Sequence, residues 1–153
     1  MKKIDITSGI LISKDIETVF EYLADYSKEP LWRNEVKNVY MDTDVVMKGT
    51  LVKEDAFLSK KIPSYISTFV CTGYEKNKHA IFETTGENTF YQKKMRYVEA
   101  AEANKTNVTY RLQFDVAIVK YSLGFALPKF IIDAYTKMLM KKYLKVLKNI
   151  LEN

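Results

Sequence analysis

Two residue types that could act as nucleophile and base occur once each, Cys71 and His79. One cysteine excludes an internal disulfide and a multi-thiolate metal site, and one histidine excludes any site built on two. A Cys–His dyad needs its side chains within hydrogen-bond reach. Hairpin pairing sets Cys71 opposite Phe82, with His79 near the turn, about three residues away at roughly 3.3 Å per residue. The dyad is therefore rejected. Cys71 reads as a small buried apolar residue and His79 as an exposed turn residue. Among the carboxylates, Asp115 alternates with Phe114 and Val116 and is expected to face solvent, and Asp25 reads as a cap or turn residue. There is no Gly-rich phosphate loop, no Ser-His-Asp ordering and no metal cluster. The expectation is no catalytic residue, no metal and no cofactor.

The elements that would position a binding site are more legible. Ile4, Ile6, Ser8, Ile10 and Ile12 alternate as a half-buried strand. Ser13 is placed to cap a helix with Asp15 and Glu17 in its first turn, and Ile16, Val19, Phe20 and Leu23 form its apolar stripe. Pro30 limits continuation, so a second short helix or turn carries Leu31 and Trp32. From Val36 to Ile118 polar turns separate about six strands. A long helix from about Pro128 to Glu152 closes the chain, roughly 35 Å at 1.5 Å per residue. Segregated strands and helices predict one α+β domain over residues 1–153, with a curved antiparallel sheet of about seven strands against that helix.

If the turns between the last four strands contain even numbers of residues, Cys71 pairs with Phe82, Ala80 with Met95, Tyr97 with Tyr110, and Met95 with Leu112. One face then collects Phe69, Cys71, Phe82, Tyr91, Met95, Tyr97, Tyr110, Leu112 and Phe114. The other collects Glu83, Gln92, Lys94, Arg96, Arg111, Gln113 and Asp115. An odd turn would flip a strand. Lys93 falls on the apolar face between Tyr91 and Met95. It reads as snorkelling to a mouth or turned out by a bulge, in preference to a ligand contact or a pKa-shifted base.

The net charge of +5 is concentrated at one end, since residues 128–153 hold six lysines against Asp133 and Glu152. Only Arg33, Arg96 and Arg111 are arginines, and a lysine-dominated surface argues against nucleic-acid recognition. The lysine-rich helix reads as a solvated face, or as a surface for transient contact with an anionic membrane. Nothing in the N-terminal stretch has the apolar core of a signal peptide, and no stretch approaches a membrane span, so a cytoplasmic location is expected.

The stretch Ile10-Leu11-Ile12-Ser13-Lys14-Asp15-Ile16-Glu17-Thr18-Val19-Phe20, with Tyr22-Leu23-Ala24-Asp25-Tyr26 and Pro30-Leu31-Trp32, resembles the START-like superfamily. The likeness is to its polyketide cyclase/dehydrase branch. The closing Leu144-Lys145-Val146-Leu147-Lys148-Asn149-Ile150-Leu151-Glu152 is similar to the family's last helix, and Lys105 to Tyr110 to its last hairpin. Arg33-Asn34-Glu35 stands where the family often has a proline. The resemblance implies a helix-grip fold whose sheet wraps the long helix around an apolar cavity. It also implies a hydrophobic ligand such as a lipid, quinone or polyketide.

Such a cavity would be lined by Trp32, by Phe69 and Phe82, by Tyr91, Lys93 and Met95, by Tyr110, Leu112 and Phe114, and by Phe130, Ala134 and Met138. Inward tyrosines, Tyr135 and Tyr143 included, would orient a ligand's polar end. The short helices around Asp25 to Trp32 and the loop near Tyr121-Ser122-Leu123-Gly124 would gate it. The alternatives are a cyclase or dehydratase acting through Tyr or Lys93, and an interaction or chaperone module with a filled core.

Overall fold

The computed structural model describes every residue except Thr89. The elements follow in the order β1 (Lys3–Ile12), α1 (Ile16–Ala24), a 3-10 turn (Tyr26–Lys28), α2 (Glu29–Trp32), β2 (Val36–Met41), β3 (Leu51–Ala56), β4 (Tyr65–Glu75), β5 (His79–Thr84), β6 (Gln92–Ala100), β7 (Thr106–Asp115), α3 (Ala117–Leu123) and α4 (Lys129–Glu152). The strands form one antiparallel sheet in the order β1-β7-β6-β5-β4-β3-β2, with the first strand closing beside the last. The curved sheet holds α4 on its inner face, as a helix grip does.

Local chemistry sets the helix starts. Asp15, rather than Ser13, caps α1, its carboxylate accepting from the Thr18 backbone N–H at 3.1 Å and hydroxyl at 2.7 Å. Asp25 takes the Ser27 N–H at 3.0 Å and begins the 3-10 turn. The segment expected as a loop near Tyr121 is α3. Asp115 accepts from the Ala117 N–H at its start, and Gly124 ends it with φ of 87°. A side chain there would be strained and would meet Lys61 Nζ at 3.0 Å.

The expected register holds for Cys71 opposite Phe82 and fails for β6. Ala80 pairs with Arg96, not Met95; Arg96 pairs with Tyr110; and Lys94 pairs with Leu112. The loops on either side of β6, residues 85–91 and 101–105, are odd in length. Each shifts the face by one residue, so β6 is turned over while β7 keeps the expected face. Lys94, Arg96 and Val98 therefore point into the molecule, and Lys93 and Tyr97 point outward.

The apolar core joins Ile12, Val19, Phe20, Leu23, Phe69 and Phe82 to the later half of α4 through Met140, Leu144, Leu147 and Leu151. Burying such side chains contributes about 1.5–3 kcal/mol each.

Candidate ligand cavity and its charged floor

Turning β6 over puts two cations where apolar residues were expected, and α2, β3 and the residue pair after α2 supply the answering charges. Lys94 Nζ lies 2.9 Å from Glu54 and donates to the Tyr26 hydroxyl at 3.0 Å, and that hydroxyl donates to Glu54 at 2.8 Å. Arg33 reaches three carboxylates: Glu29 at 2.8 Å, Glu54 at 3.1 Å and Glu35 at 2.9 Å. Arg96 is fully buried, paired with Glu29, and ringed by Tyr26, Trp32, Phe82 and Tyr110 with ring centroids 5.0–5.5 Å from its guanidinium carbon. Three cations thus face three carboxylates.

Burial alone would raise the Glu54 carboxyl, but Lys94 and Arg33 hold it down to about 2. Burial and the Arg33 charge bring the Lys94 amine down to about 8 in spite of Glu54. Burial also opposes the charge on Glu35, and the adjacent Arg33 outweighs it, so this carboxyl stays below its usual range.

Beside this charged floor lies a cavity of about 780 Å³ between β7, α3 and α4. Its walls are Leu112, Phe114, Ile118, Leu127, Ile132 and Leu139, and Phe57, Leu123, Ile131 and Tyr135 stand part-exposed at its mouth. Arg33, Asn34, Glu35, Tyr110 and Tyr143 form a polar end. Burial and the neighbouring Glu35 charge push the Tyr143 hydroxyl well above its usual range, so it stays protonated. The loop after β3 is tied to α3 by Ser59, whose hydroxyl donates to the Ser122 carbonyl at 2.5 Å. Among the described residues no three His, Cys, Asp or Glu side chains are placed to hold a metal ion. Nor is any helix long and apolar enough to cross a membrane.

Of the residues assigned to a cavity from sequence, Tyr110, Leu112 and Phe114 line this one. Trp32, Phe69 and Phe82 are fully buried in packed core around Arg96 and Lys94. Met95 is buried on the outer face opposite Ile81 and Arg111. Tyr91 donates to Glu83 at 2.9 Å, with Lys3 over its ring, and Lys93 lies 3.7 Å from the same Glu83. The reading of Lys93 as turned outward holds, with the whole strand as the cause rather than a bulge. Phe130, Ala134 and Met138 are exposed on the side of α4 away from the cavity. Cys71 is buried and donates to the Gly73 carbonyl at 3.4 Å, while His79 pairs with Glu75 as a half-buried strand residue rather than an exposed turn residue.

Tyr135 and Tyr143, expected to point inward, do line the cavity, whereas sequence reasoning missed Arg33, Glu35, Ile118, Ser122 and the α4 residues Ile131, Ile132 and Leu139 as lining. Asp115 and Gly124, a helix start and stop nine residues apart, were the available signal for α3.

No family model matches the sequence, and no curated protein matches it. Solved structures match the fold over nearly the whole chain. A START superfamily protein from Mycobacterium smegmatis superposes with a TM-score of 0.76 at 13% identity, covering 97% of each chain. A conserved protein from Geobacillus kaustophilus gives 0.74 at 14% identity, covering 97% of this chain and 95% of its own. The Zhui aromatase/cyclase from Streptomyces sp. R1128 gives 0.71 at 11% identity, covering 99% and 94%. The chain has the START-like helix-grip fold, which defines its architectural class.

Proposed function

We propose that this protein binds a hydrophobic small molecule, of the size and character of a lipid, quinone or polyketide, in the cavity between β7, α3 and α4. The observation that carries the reading is about 780 Å³ of space with leucine, isoleucine and phenylalanine walls and a small set of polar groups, Arg33, Glu35, Tyr110 and Tyr143 among them. That combination is the usual anatomy of a small-molecule site. Affinity comes from removing apolar ligand surface from water, about 25 cal/mol per Å². Titration with the neutral fluorescent probe N-phenyl-1-naphthylamine tests it. Saturation near one probe per chain, abolished by Leu112→Trp in a folded variant, supports the site. Absence of saturable binding by folded protein overturns it.

Exchange at an anionic membrane surface belongs to the same reading. Phe130, Ala134 and Met138 recur every fourth residue as an exposed stripe on α4, with Phe125 exposed just before the helix. Lys129, Lys137, Lys141 and Lys142 flank that stripe, exposed and complementary to anionic headgroups, each contributing about 1 kcal/mol near such a surface.

A further inference from the structure

We propose that the polar end of the cavity accepts a ligand's hydrogen-bond donor, a hydroxyl or an amine, on the Glu35 carboxylate and discriminates against a ligand carboxylate. This rests on the cavity reading above and specifies the chemistry of its ligand.

The two oxygens of Glu35 are not equivalent. Oε1 takes both the Nε and Nη2 donors of Arg33, at 3.1 and 2.9 Å. Oε2 is buried and makes no hydrogen bond of full geometry among the described residues, while the Tyr143 hydroxyl approaches the carboxylate closely enough to help hold it down. Glu35 lines the cavity, but Oε2 itself is covered, so a ligand donor reaches this acceptor by taking the place of the adjacent Tyr143 hydroxyl. A donor arriving there removes that deficit.

A lining arginine would ordinarily suggest the reverse preference, a carboxylate ligand. Four of the five Arg33 N–H donors are already engaged. Its Nη1 donates to Glu29 at 2.8 Å and to Glu54 at 3.1 Å, and its Nε and Nη2 are held by Glu35. Lys94 and Arg96 pair with Glu54 and Glu29, and neither lines the cavity. An incoming carboxylate would lose its hydration and meet the Glu35 charge with no unpaired buried cation in the lining to answer it. The Tyr143 hydroxyl beside Glu35 adds a neutral partner suited to a second polar atom on the ligand. Lys142 also lines the cavity but is exposed to water, where an ion pair contributes little.

Three probes with the same apolar tail isolate the head group: dodecylamine, dodecanol and dodecanoate, each competed against N-phenyl-1-naphthylamine at neutral pH. The net charge of +5 favours dodecanoate non-specifically, so a preference for the amine runs against the field of the whole protein. The expected result is that the amine and the alcohol each bind about tenfold tighter than dodecanoate, as one well-made charge-assisted hydrogen bond allows. In Glu35→Gln the amine should lose about that factor while dodecanoate gains, with the alcohol little changed because the amide oxygen still accepts.

Dodecanoate binding as tightly as the amine to the wild-type protein overturns the proposal and leaves the cavity reading intact; that comparison needs no variant. An amine preference that persists unchanged in folded Glu35→Gln overturns the assignment to Glu35. Failure of all three probes, and of the fluorophore itself, to bind overturns the cavity reading and this proposal with it.

Discussion

The interior beneath the sheet has two halves of opposite character. Around β5, β6 and α2, six charged side chains answer one another among aromatic rings, and Arg96 and Glu29 are wholly removed from solvent. Between β7 and α4 the walls are aliphatic and aromatic, and about 780 Å³ is left open. The closed half is polar and the open half apolar, the reverse of a dry core beside a wet site. The charged half tolerates no loss of a member, because a buried ion stripped of its partner keeps its full desolvation cost. The apolar half tolerates change in volume, because its void absorbs it. Arg33 and Glu35 form the seam between them.

Four predictions test this contrast. Glu29→Ala leaves Arg96 without its carboxylate and deprives Arg33 of one of three, and should lower stability in urea unfolding by about 4 kcal/mol. A loss below about 1 kcal/mol would show that the aromatic cage alone satisfies Arg96.

The pH dependence of stability should show both ends of the Glu54–Lys94 pair. The Glu54 carboxyl is held at about 2 against an ordinary 4.5, so its contribution is present above pH 4.5 and is lost as pH falls toward 2. The difference corresponds to about 3 kcal/mol. Lys94 has the opposite sense. Between about 8 and 10.5 the unfolded chain holds this proton and the folded protein does not, so stability from this group rises with pH across that window. Lys94→Met should abolish the alkaline rise and cost about 2 kcal/mol at neutral pH, since Glu54 keeps Arg33 and Tyr26. Thermal melts across pH on both proteins read each effect.

In the open half, Leu112→Trp should change stability by no more than about 1 kcal/mol while reducing probe affinity at least tenfold. A large destabilisation without loss of binding would mean that the space is not where the probe sits. The smallest effect belongs outside both halves. Phe130→Ser combined with Met138→Ser should leave stability within about 0.5 kcal/mol. The pair should weaken sedimentation with phosphatidylserine vesicles; unchanged sedimentation would remove that stripe from the membrane reading.

The same contrast explains what the sequence made legible. Period-two alternation in β1 and i, i+3, i+4 spacing in α1 report burial against apolar neighbours, and both elements form as read. The six strands after α2 and the closing helix are equally clear. The register failed in β6 because its true inner frame, Gln92, Lys94, Arg96 and Val98, looks like a solvent face, whereas the outer frame carries Met95 and Tyr97. Alternation cannot reveal a charged interior when the compensating groups lie far away, on α2 and β3. One local sign existed in Glu54, set between Val52 and Ala56 on the inner face of β3. In α4 the difficulty was different. Its first half has one apolar side toward the cavity, with Ile132 and Leu139, and another toward solvent, with Phe130 and Met138; hydropathy alone does not distinguish them.

The attachments of α4 are unevenly distributed along its length. Ser13 N–H donates to Glu152 at 2.7 Å, Lys148 donates to the Leu11 carbonyl at 2.8 Å, and Leu144, Leu147 and Leu151 sit in the main core. The half that spans the cavity has no such clamp among the described residues. The helix is thus a cantilever, built in at its C-terminal root with its compliance at the tip. Amide hydrogens should exchange fastest near Ile131 and slowest near Leu147, and an occupant lodged under the tip would flatten that gradient by propping the beam.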